Sequence, residues 1–161
     1  MSKKFVLLCL CLLSPWARAA GEGLPGFDLS RLWVNAGFYS FHYDRAREAN
    51  LRDPNPGLGA EYRLAPEWSV TAGRFLNSND RMSRYVGVYY QPWEVIGGRA
   101  GVVIGAFDGY PKAFDGGWFP AAIPVIGWEW SRLGLNAAFV PPYKDRLHGA
   151  LSLQLKLRMG P

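Results

Sequence analysis

The clearest pattern in the chain is a strict alternation of apolar and polar residues in its last stretch, within 147–159. The apolar members are Leu151, Leu153, Leu155, Leu157 and Met159, and the polar members between them are Ser152, Gln154, Lys156 and Arg158. Successive side chains of a β-strand point to opposite faces. This period of two therefore predicts a strand with one apolar and one polar face.

Seven similar segments precede it, separated by turn-forming residues. They predict strands at 32–43, 57–64, 68–76, 83–91, 95–107, 118–130 and 133–139. None of these segments has a helical period. The connections after odd-numbered strands, at 44–56, 77–82, 108–117 and 140–146, are longer and polar, whereas the others are tight, the fourth strand ending in a turn at Pro92-Trp93. Long outer loops that alternate with short turns are typical of an even-stranded barrel.

The first 19 residues have the features of a secretory signal. A basic start at Lys3 and Lys4 is followed by an apolar run at 5–13 and by Ala17-Arg18-Ala19. After an export signal, two-faced strands favour apolar side chains toward lipid and polar ones toward a lumen. We therefore predict a signal peptide at 1–19 and one domain at 20–161. This domain is expected to be all-β, an eight-stranded antiparallel up-and-down outer-membrane β-barrel. The alternative to a signal peptide is a short membrane anchor. The alternative to an outer-membrane barrel is a soluble periplasmic calycin-like barrel.

Charge and cysteine usage exclude several functions. Three of the 18 Lys and Arg residues lie in the predicted signal, which leaves 15 against 13 Asp and Glu and gives no case for nucleic acid as a partner. Cys9 and Cys11 both lie in the signal, so the mature chain has no thiol chemistry. Two isolated His residues have no metal-ligand spacing. We expect no cofactor, no metal and a monomer.

Aromatic and charged residues fit the barrel prediction. Five tryptophans fall near predicted strand ends, as in the aromatic girdles of membrane barrels: Trp33, Trp68, Trp93, Trp118 and Trp130. In a soluble sandwich such residues would instead fill a core or contact carbohydrate. Because an unpaired buried charge is costly, five charged residues are predicted to pair inside the lumen: Glu61, Arg63, Arg74, Arg99 and Glu129. Cations of the outer loops are candidates for contacts with lipid phosphates: Arg81, Arg84, Lys112 and Lys144.

Several short motifs, in one collinear order within about 33–159, resemble the small outer-membrane barrels that transfer palmitate to lipid A. The motifs are Phe-His-Tyr-Asp at 41–44, Pro-Gly-Leu-Gly at 56–59 and Phe-Leu-Asn-Ser at 75–78, with further pieces at 101–107, 119–125 and 139–141. The resemblance implies an eight-stranded barrel with an acyl-filled upper lumen. It also implies a phospholipid as acyl donor and lipid A or lipopolysaccharide as acceptor, in the outer membrane.

The resemblance also locates candidate catalytic residues. The family's Asp-Ser pair falls on Asn77-Ser78, so an amide replaces the carboxylate, and the family's His falls near Phe38, with His42 the nearest imidazole. His42, Asn77 and Ser78 are therefore the predicted catalytic residues.

Two schemes use these residues. In the favoured one, His42 deprotonates a lipid A hydroxyl while Ser78 and Asn77 donate hydrogen bonds to the oxyanion. In the other, Ser78 is the nucleophile, His42 is its base and Asp44 or Asp80 orients the ring. The plain alternative is a rim histidine beside an ordinary polar turn.

Prolines and one tyrosine complete the expectations. Pro120, Pro124 and Pro141 cannot donate to a strand ladder, so they either shape loops or weaken strand pairing enough to admit lipid, as the resemblance implies. Tyr89 falls where the resemblance puts the residue that sets acyl length, which predicts a donor chain shorter than palmitate. The expected function is lipid A acyl transfer. A non-catalytic barrel and a lipid A deacylase or lipase are the alternatives.

Overall fold

The computed structural model describes residues 26–43, 50–143 and 147–161. The predicted signal peptide, Asp44 and Lys144 lie outside them. The described residues form eight antiparallel strands in sequence order, and pairing of the first with the last closes the barrel. The strands are β1 (Leu32–His42), β2 (Pro54–Ala65), β3 (Trp68–Leu76), β4 (Met82–Val95), β5 (Gly98–Phe107), β6 (Phe119–Trp130), β7 (Leu133–Val140) and β8 (Ala150–Arg158). The predicted eight-stranded antiparallel up-and-down barrel is confirmed.

The polar face of β8 turns toward the lumen, and its apolar face forms part of the outer wall. Ser152, Gln154 and Lys156 are buried in the lumen, while Leu155 is 64% exposed on the outer wall. The same division runs through β4, where Tyr85, Gly87 and Tyr89 are buried while Val86 and Val88 are exposed. A polar interior inside an apolar wall is the reverse of a soluble protein and is the arrangement of a transmembrane barrel. No helix within the described residues is long and apolar enough to cross a bilayer.

The connections alternate in length as predicted. Those between β2 and β3, β4 and β5, and β6 and β7 have two residues each and define the turn end of the barrel. The connections at 43–53, 77–81, 108–118 and 141–149 are longer and define the loop end. Ser78 and the end of β1 therefore lie at the same end of the barrel.

The turn predicted at Pro92-Trp93 is wrong. Strand β4 continues to Val95, and its register with β5 shifts between Tyr90 and Trp93. A bulge of this kind accommodates a proline, which has no N–H for the ladder. The chain reverses instead at Ile96-Gly97, where both residues have positive φ (50° and 71°), as in the tight hairpin turn that matches strand twist.

A bulge in β1 reverses the alternation halfway along the strand. Trp33 and Asn35 are buried in the lumen, but beyond Gly37 the inward positions become Phe38, Ser40 and His42. The register with both neighbouring strands shifts at this point. A Cβ on Gly37 would lie 2.0 Å from the carbonyl oxygen of Asn55, so the close approach requires glycine.

An ion-pair network fills the lumen at the turn end. Lys156 Nζ lies 2.9 Å from Glu61 Oε1 and 2.8 Å from Glu129 Oε1, and Arg63 also pairs with Glu129. The predicted inward pairing of Glu61, Arg63 and Glu129 is confirmed. Because each charge has a partner, the network closes this half of the barrel without leaving a buried charge unpaired.

Two of the predicted placements are wrong. Trp33 is not in a girdle but in the lumen, where Lys156 Nζ and Arg158 Cζ lie 4.8 and 4.6 Å from its ring centroid. Arg74 does not face the lumen, because the alternation of β3 runs unbroken from Trp68 and puts Arg74 on the outer wall. Arg99, also among the five charges predicted to pair, lies at the turn end, where its Nη2 is 3.5 Å from Oε1 of Glu67. The other four tryptophans are exposed on the outer wall or at its edges: Trp68, Trp93, Trp118 and Trp130.

Candidate functional site

An apolar pocket of about 450 Å³ occupies the loop half of the lumen, above the ion-pair network. This volume lies within the range of ligand sites, roughly 300–1,000 Å³. Its walls are mainly aromatic and aliphatic: Phe38, Leu51, Phe75, Val103, Phe107, Phe119 and Ile123. Tyr89 is the deepest inward residue of β4 that lines it, since Gln91, the next inward residue, does not.

His42 lies at the mouth of this pocket. Its side chain is 3% exposed, and Nδ1 lies 3.1 Å from Oδ1 of Asp53, just before β2. Because a carboxylate only accepts, Nδ1–H donates, and in the neutral ring Nε2 therefore carries the lone pair. Asp80, one of the two predicted orienting residues, instead pairs with Arg52, whose Nε lies 2.5 Å from its Oδ1. Asp44, the other, lies outside the described residues.

Sequence reasoning missed Asp53 because the stretch before residue 57 has the composition of a loop. Strand β2 actually begins at Pro54, which is paired with Tyr39 of β1. The only signal in the sequence was a proline at a strand start, a position that tolerates a missing N–H.

Ser78 lines the same pocket as His42. Its Oγ accepts a long hydrogen bond, 3.5 Å, from Nδ2 of Asn55. Asn55 Oδ1 accepts in turn from Ser40 Oγ at 2.8 Å, and Ser40 Oγ lies 3.0 Å from Ser152 Oγ. This chain of hydroxyl and amide groups, Ser152 to Ser78, forms a polar band across the mouth of an otherwise apolar pocket.

Asn77 is fully buried in the turn beside the pocket and does not line it. Its amide makes four hydrogen bonds of 2.8 to 3.1 Å, donating to Ser83 Oγ and the Gly109 carbonyl and accepting from the backbone N–H groups of Asn79 and Arg81. The structure thus brings His42 and Ser78 to one pocket and leaves Asn77 holding the loop. Its predicted role as an oxyanion donor stays a prediction.

The described pairing between β6 and β7 stops short of the loop end of the barrel. The ladder between these strands runs from Val125 paired with Ala138 to Trp130 paired with Leu133. Among the described residues, the first half of β6, residues 119–124, is paired only with β5. Pro120 and Pro124 in that half have no N–H to donate. Pro120 and Ile123, both in this unpaired stretch, line the pocket.

Two further side chains shape the mouth. His148, just before β8, also lines the pocket. Tyr110, in the loop between β5 and β6, packs edge-on against Phe119 with ring centroids 5.8 Å apart, and burial raises its pKa. Its hydroxyl is therefore neutral at physiological pH. In the described ranges, no group of three or more His, Cys, Asp or Glu residues is placed to hold a metal ion.

No family model and no curated protein matches this sequence. Among solved structures, the chain is similar to the solution NMR structure of the de novo designed TMB2.3, with a TM-score of 0.59 and 20% sequence identity. The match covers 82% of this chain and 96% of that one. At this identity the likeness shows the fold alone: a small, closed, eight-stranded antiparallel barrel.

Proposed function

We propose that this protein is an outer-membrane acyltransferase that moves a fatty acyl chain from a phospholipid to lipid A. The observation that carries the proposal is the apolar pocket, whose polar mouth holds His42, Asp53 and Ser78. An apolar pocket with a few convergent polar groups at one end suits a fatty acyl ester. The chain would lie among the aromatic residues, and the ester would lie at the mouth.

The outer wall supports a membrane location. Leu155 and Ile104 are 64% and 58% exposed on it, and exposed tryptophans mark both of its edges. Burial of such residues against hydrocarbon is favourable, whereas contact with water is not. Together with the predicted signal peptide, this supports the outer membrane, with the loop end facing outward.

The unpaired stretch between β6 and β7 supports entry of a lipid from the side. A phospholipid in the bilayer cannot reach a lumen through a fully paired wall without leaving the hydrocarbon. An opening at 119–124 would let one acyl chain slide into the pocket while the headgroup stays at the membrane surface.

The chemistry follows from the pair of His42 and Asp53. With Nδ1–H held by Asp53, Nε2 of His42 removes the proton from a lipid A hydroxyl as that oxygen attacks the donor ester carbonyl. Ser78 Oγ–H donates to the oxyanion of the tetrahedral intermediate. Collapse breaks the bond to the glycerol oxygen, which takes the proton from His42 and leaves as lysophospholipid. An acyl-serine intermediate would need His42 to take the proton of Ser78. Because Ser78 is hydrogen-bonded to Asn55 and not to His42, the geometry favours direct transfer.

Mass spectrometry of lipid A from cells with and without the protein tests this function. A gain of one acyl group that disappears in His42→Ala is the expected result. Heat-modifiable migration on unboiled gels would show that the variant still forms a barrel. Loss of an acyl group would indicate a deacylase instead.

A non-catalytic lipid-binding barrel is the second candidate, and Phe38 favours it. Phe38 lies near the position at which the resemblance places the family's catalytic His, and it has no group that could act as a base. Its ring packs against Phe75 with ring centroids 4.9 Å apart. Unchanged lipid A, combined with a fatty acid or phospholipid retained by the purified barrel, would support this candidate.

A further inference from the structure

Two arginines lie directly opposite each other on the outer wall. Arg74 of β3 and Arg84 of β4 are register partners, and both are exposed. Like charges directly opposite on one face of a sheet destabilise it, and cations are disfavoured on a lipid-facing wall. An anion bound between the two side chains would remove both costs.

Both arginines lie at the level where lipid headgroups are expected. Arg74 is two residues before the end of β3 and Arg84 two residues after the start of β4, so both are at the loop end. Trp118, an exposed aromatic at the same edge, has its ring centroid 5.4 Å from Cζ of Arg84. Tryptophans of membrane proteins concentrate at this depth.

The guanidinium of Arg84 is fixed in place. Asp108 Oδ1 accepts from the Arg84 backbone N–H at 2.6 Å, and Oδ2 lies 2.7 Å from Nε and 2.5 Å from Nη2. Asp108 is buried, and it offsets the charge of Arg84 while it orients the side chain. Arg74 has no hydrogen bond or ion pair with any residue that the structure describes. The pair therefore keeps a net positive charge beside a groove lined by Met82, Gly109 and Gly116.

We infer that Arg74 and Arg84 bind the phosphate of a lipid headgroup in the outer leaflet, on the outside of the barrel. Guanidinium groups match phosphate oxygens in a bidentate manner and are the side chains best suited to this contact. The site lies between β3 and β4, on the other side of β5 from the unpaired stretch of β6. It does not depend on acyl transfer and would serve a non-catalytic barrel equally well.

The test is a titration of the purified full chain in maltoside micelles, which contain no phosphate. The probes are lipid A carrying its phosphates, the same lipid A with its phosphates removed, and inorganic phosphate, with bound molecules counted by native mass spectrometry. Arg74→Gln is the test variant. Arg132→Gln, an exposed arginine in the turn between β6 and β7, is the matched control.

The expected result is that Arg74→Gln weakens binding of phosphorylated lipid A by about tenfold or more, as removal of a charged hydrogen bond predicts. Arg132→Gln should leave it unchanged, and lipid A without phosphates should bind the wild type about as weakly as phosphorylated lipid A binds Arg74→Gln. The proposed site would be overturned if Arg74→Gln and Arg132→Gln bound phosphorylated lipid A equally well. It would also be overturned if the wild type bound the two forms of lipid A equally well. Inorganic phosphate binding as tightly as the lipid would show a free-anion site and overturn the lipid assignment.

Stability without lipid separates binding from folding. Because Arg74→Gln removes repulsion from Arg84, its urea midpoint in lipid-free micelles should equal or exceed that of the wild type. A lower midpoint would make Arg74 a structural residue and contradict the inference. Arg84→Gln is unsuitable as the test variant, since it would leave the buried carboxylate of Asp108 without its guanidinium partner.

Discussion

Nδ1 of His42 lies 3.1 Å from Oδ1 of Asp53, so the imidazole at the mouth of the pocket is held by a carboxylate from the neighbouring loop. His42 reaches the lumen because the bulge at Gly37 reverses the alternation of β1. Without that bulge, His42 would share the outward face of Val34 and Ala36 and could not meet the pocket.

Under the proposed function, His42→Ala should lower the rate of acyl transfer by about 100-fold or more, as loss of a general base predicts. Asp53→Asn should lower it by about tenfold or more, because the ring loses its orienting carboxylate. Rates are read from transfer of labelled acyl chains in mixed micelles. His148→Gln tests the second imidazole at the pocket mouth, and Arg132→Gln, in the exposed turn between β6 and β7, is the control that should retain the wild-type rate. Loss of activity in His148→Gln but not in His42→Ala would identify His148 as the base. Full activity in the His42, Asp53 and His148 variants would remove both imidazoles from the mechanism.

Closing the wall between β6 and β7 should block entry of the donor. Continuing their register would place Ile123 opposite Val140, so cysteines at these two positions should cross-link when oxidised. The described residues contain no cysteine that would compete. We expect transfer to stop on oxidation and to recover on reduction. A second cysteine pair at Trp130 and Leu133, in the paired half, should have no effect. Activity that survives cross-linking at 123 and 140 would exclude this route.

Tyr89 should limit the length of the acyl chain. Its ring is buried against Val103 and Val125 at the bottom of the pocket, so the wild type should transfer a chain shorter than sixteen carbons. Tyr89→Ala should deepen the pocket and lengthen the transferred chain by several carbons, at a stability cost of about 3–5 kcal/mol. Tyr89→Phe should change neither. The mass of modified lipid A gives the length, and a clean sixteen-carbon addition by the wild type would contradict the prediction.

The ion-pair network should be sensitive to loss of its central cation. Lys156→Met leaves Glu61 and Glu129 without the ammonium between them and should cost about 3–5 kcal/mol in the free energy of unfolding. The double variant Lys156→Met, Glu61→Gln should recover part of this loss. Urea unfolding in micelles measures both. Arg132→Gln, at an exposed turn, should stay within about 0.5 kcal/mol of the wild type. A similar small effect for Lys156→Met would mean that the network contributes little.

Ile96 is poorly suited to its position in the turn between β4 and β5. It is 87% exposed with φ of 50°, a left-handed conformation that disfavours a β-branched side chain. Ile96→Asn should therefore raise the free energy of unfolding by about 1 kcal/mol. Val95→Asn, at the last residue of β4, serves as the comparison and should not raise the free energy of unfolding. A destabilised Ile96→Asn would contradict the observed turn.

Much of the barrel could be predicted from the sequence because a β-strand's period of two needs no knowledge of its neighbours. The alternation in β8 alone separates its lumen residues from its outer leucines. The lengths of the connections likewise depend on local turn-forming residues, which is why the two ends of the barrel were predicted correctly. Fold class and the inward charges of Glu61, Arg63 and Glu129 follow from these local signals.

The remaining features were decided only by the tertiary structure, because they depend on register between strands distant in sequence. The bulge at Gly37 turns His42 inward, and the early start of β2 brings Asp53 to it. The unbroken alternation of β3 sends Arg74 outward, opposite Arg84, where a polarity pattern suggested the lumen. The ladder between β6 and β7 ends at Val125 and Ala138, which leaves the stretch of β6 with Pro120 and Pro124 without a described partner on that side. One shifted residue changes the face of every side chain beyond it, and the local sequence does not fix such shifts.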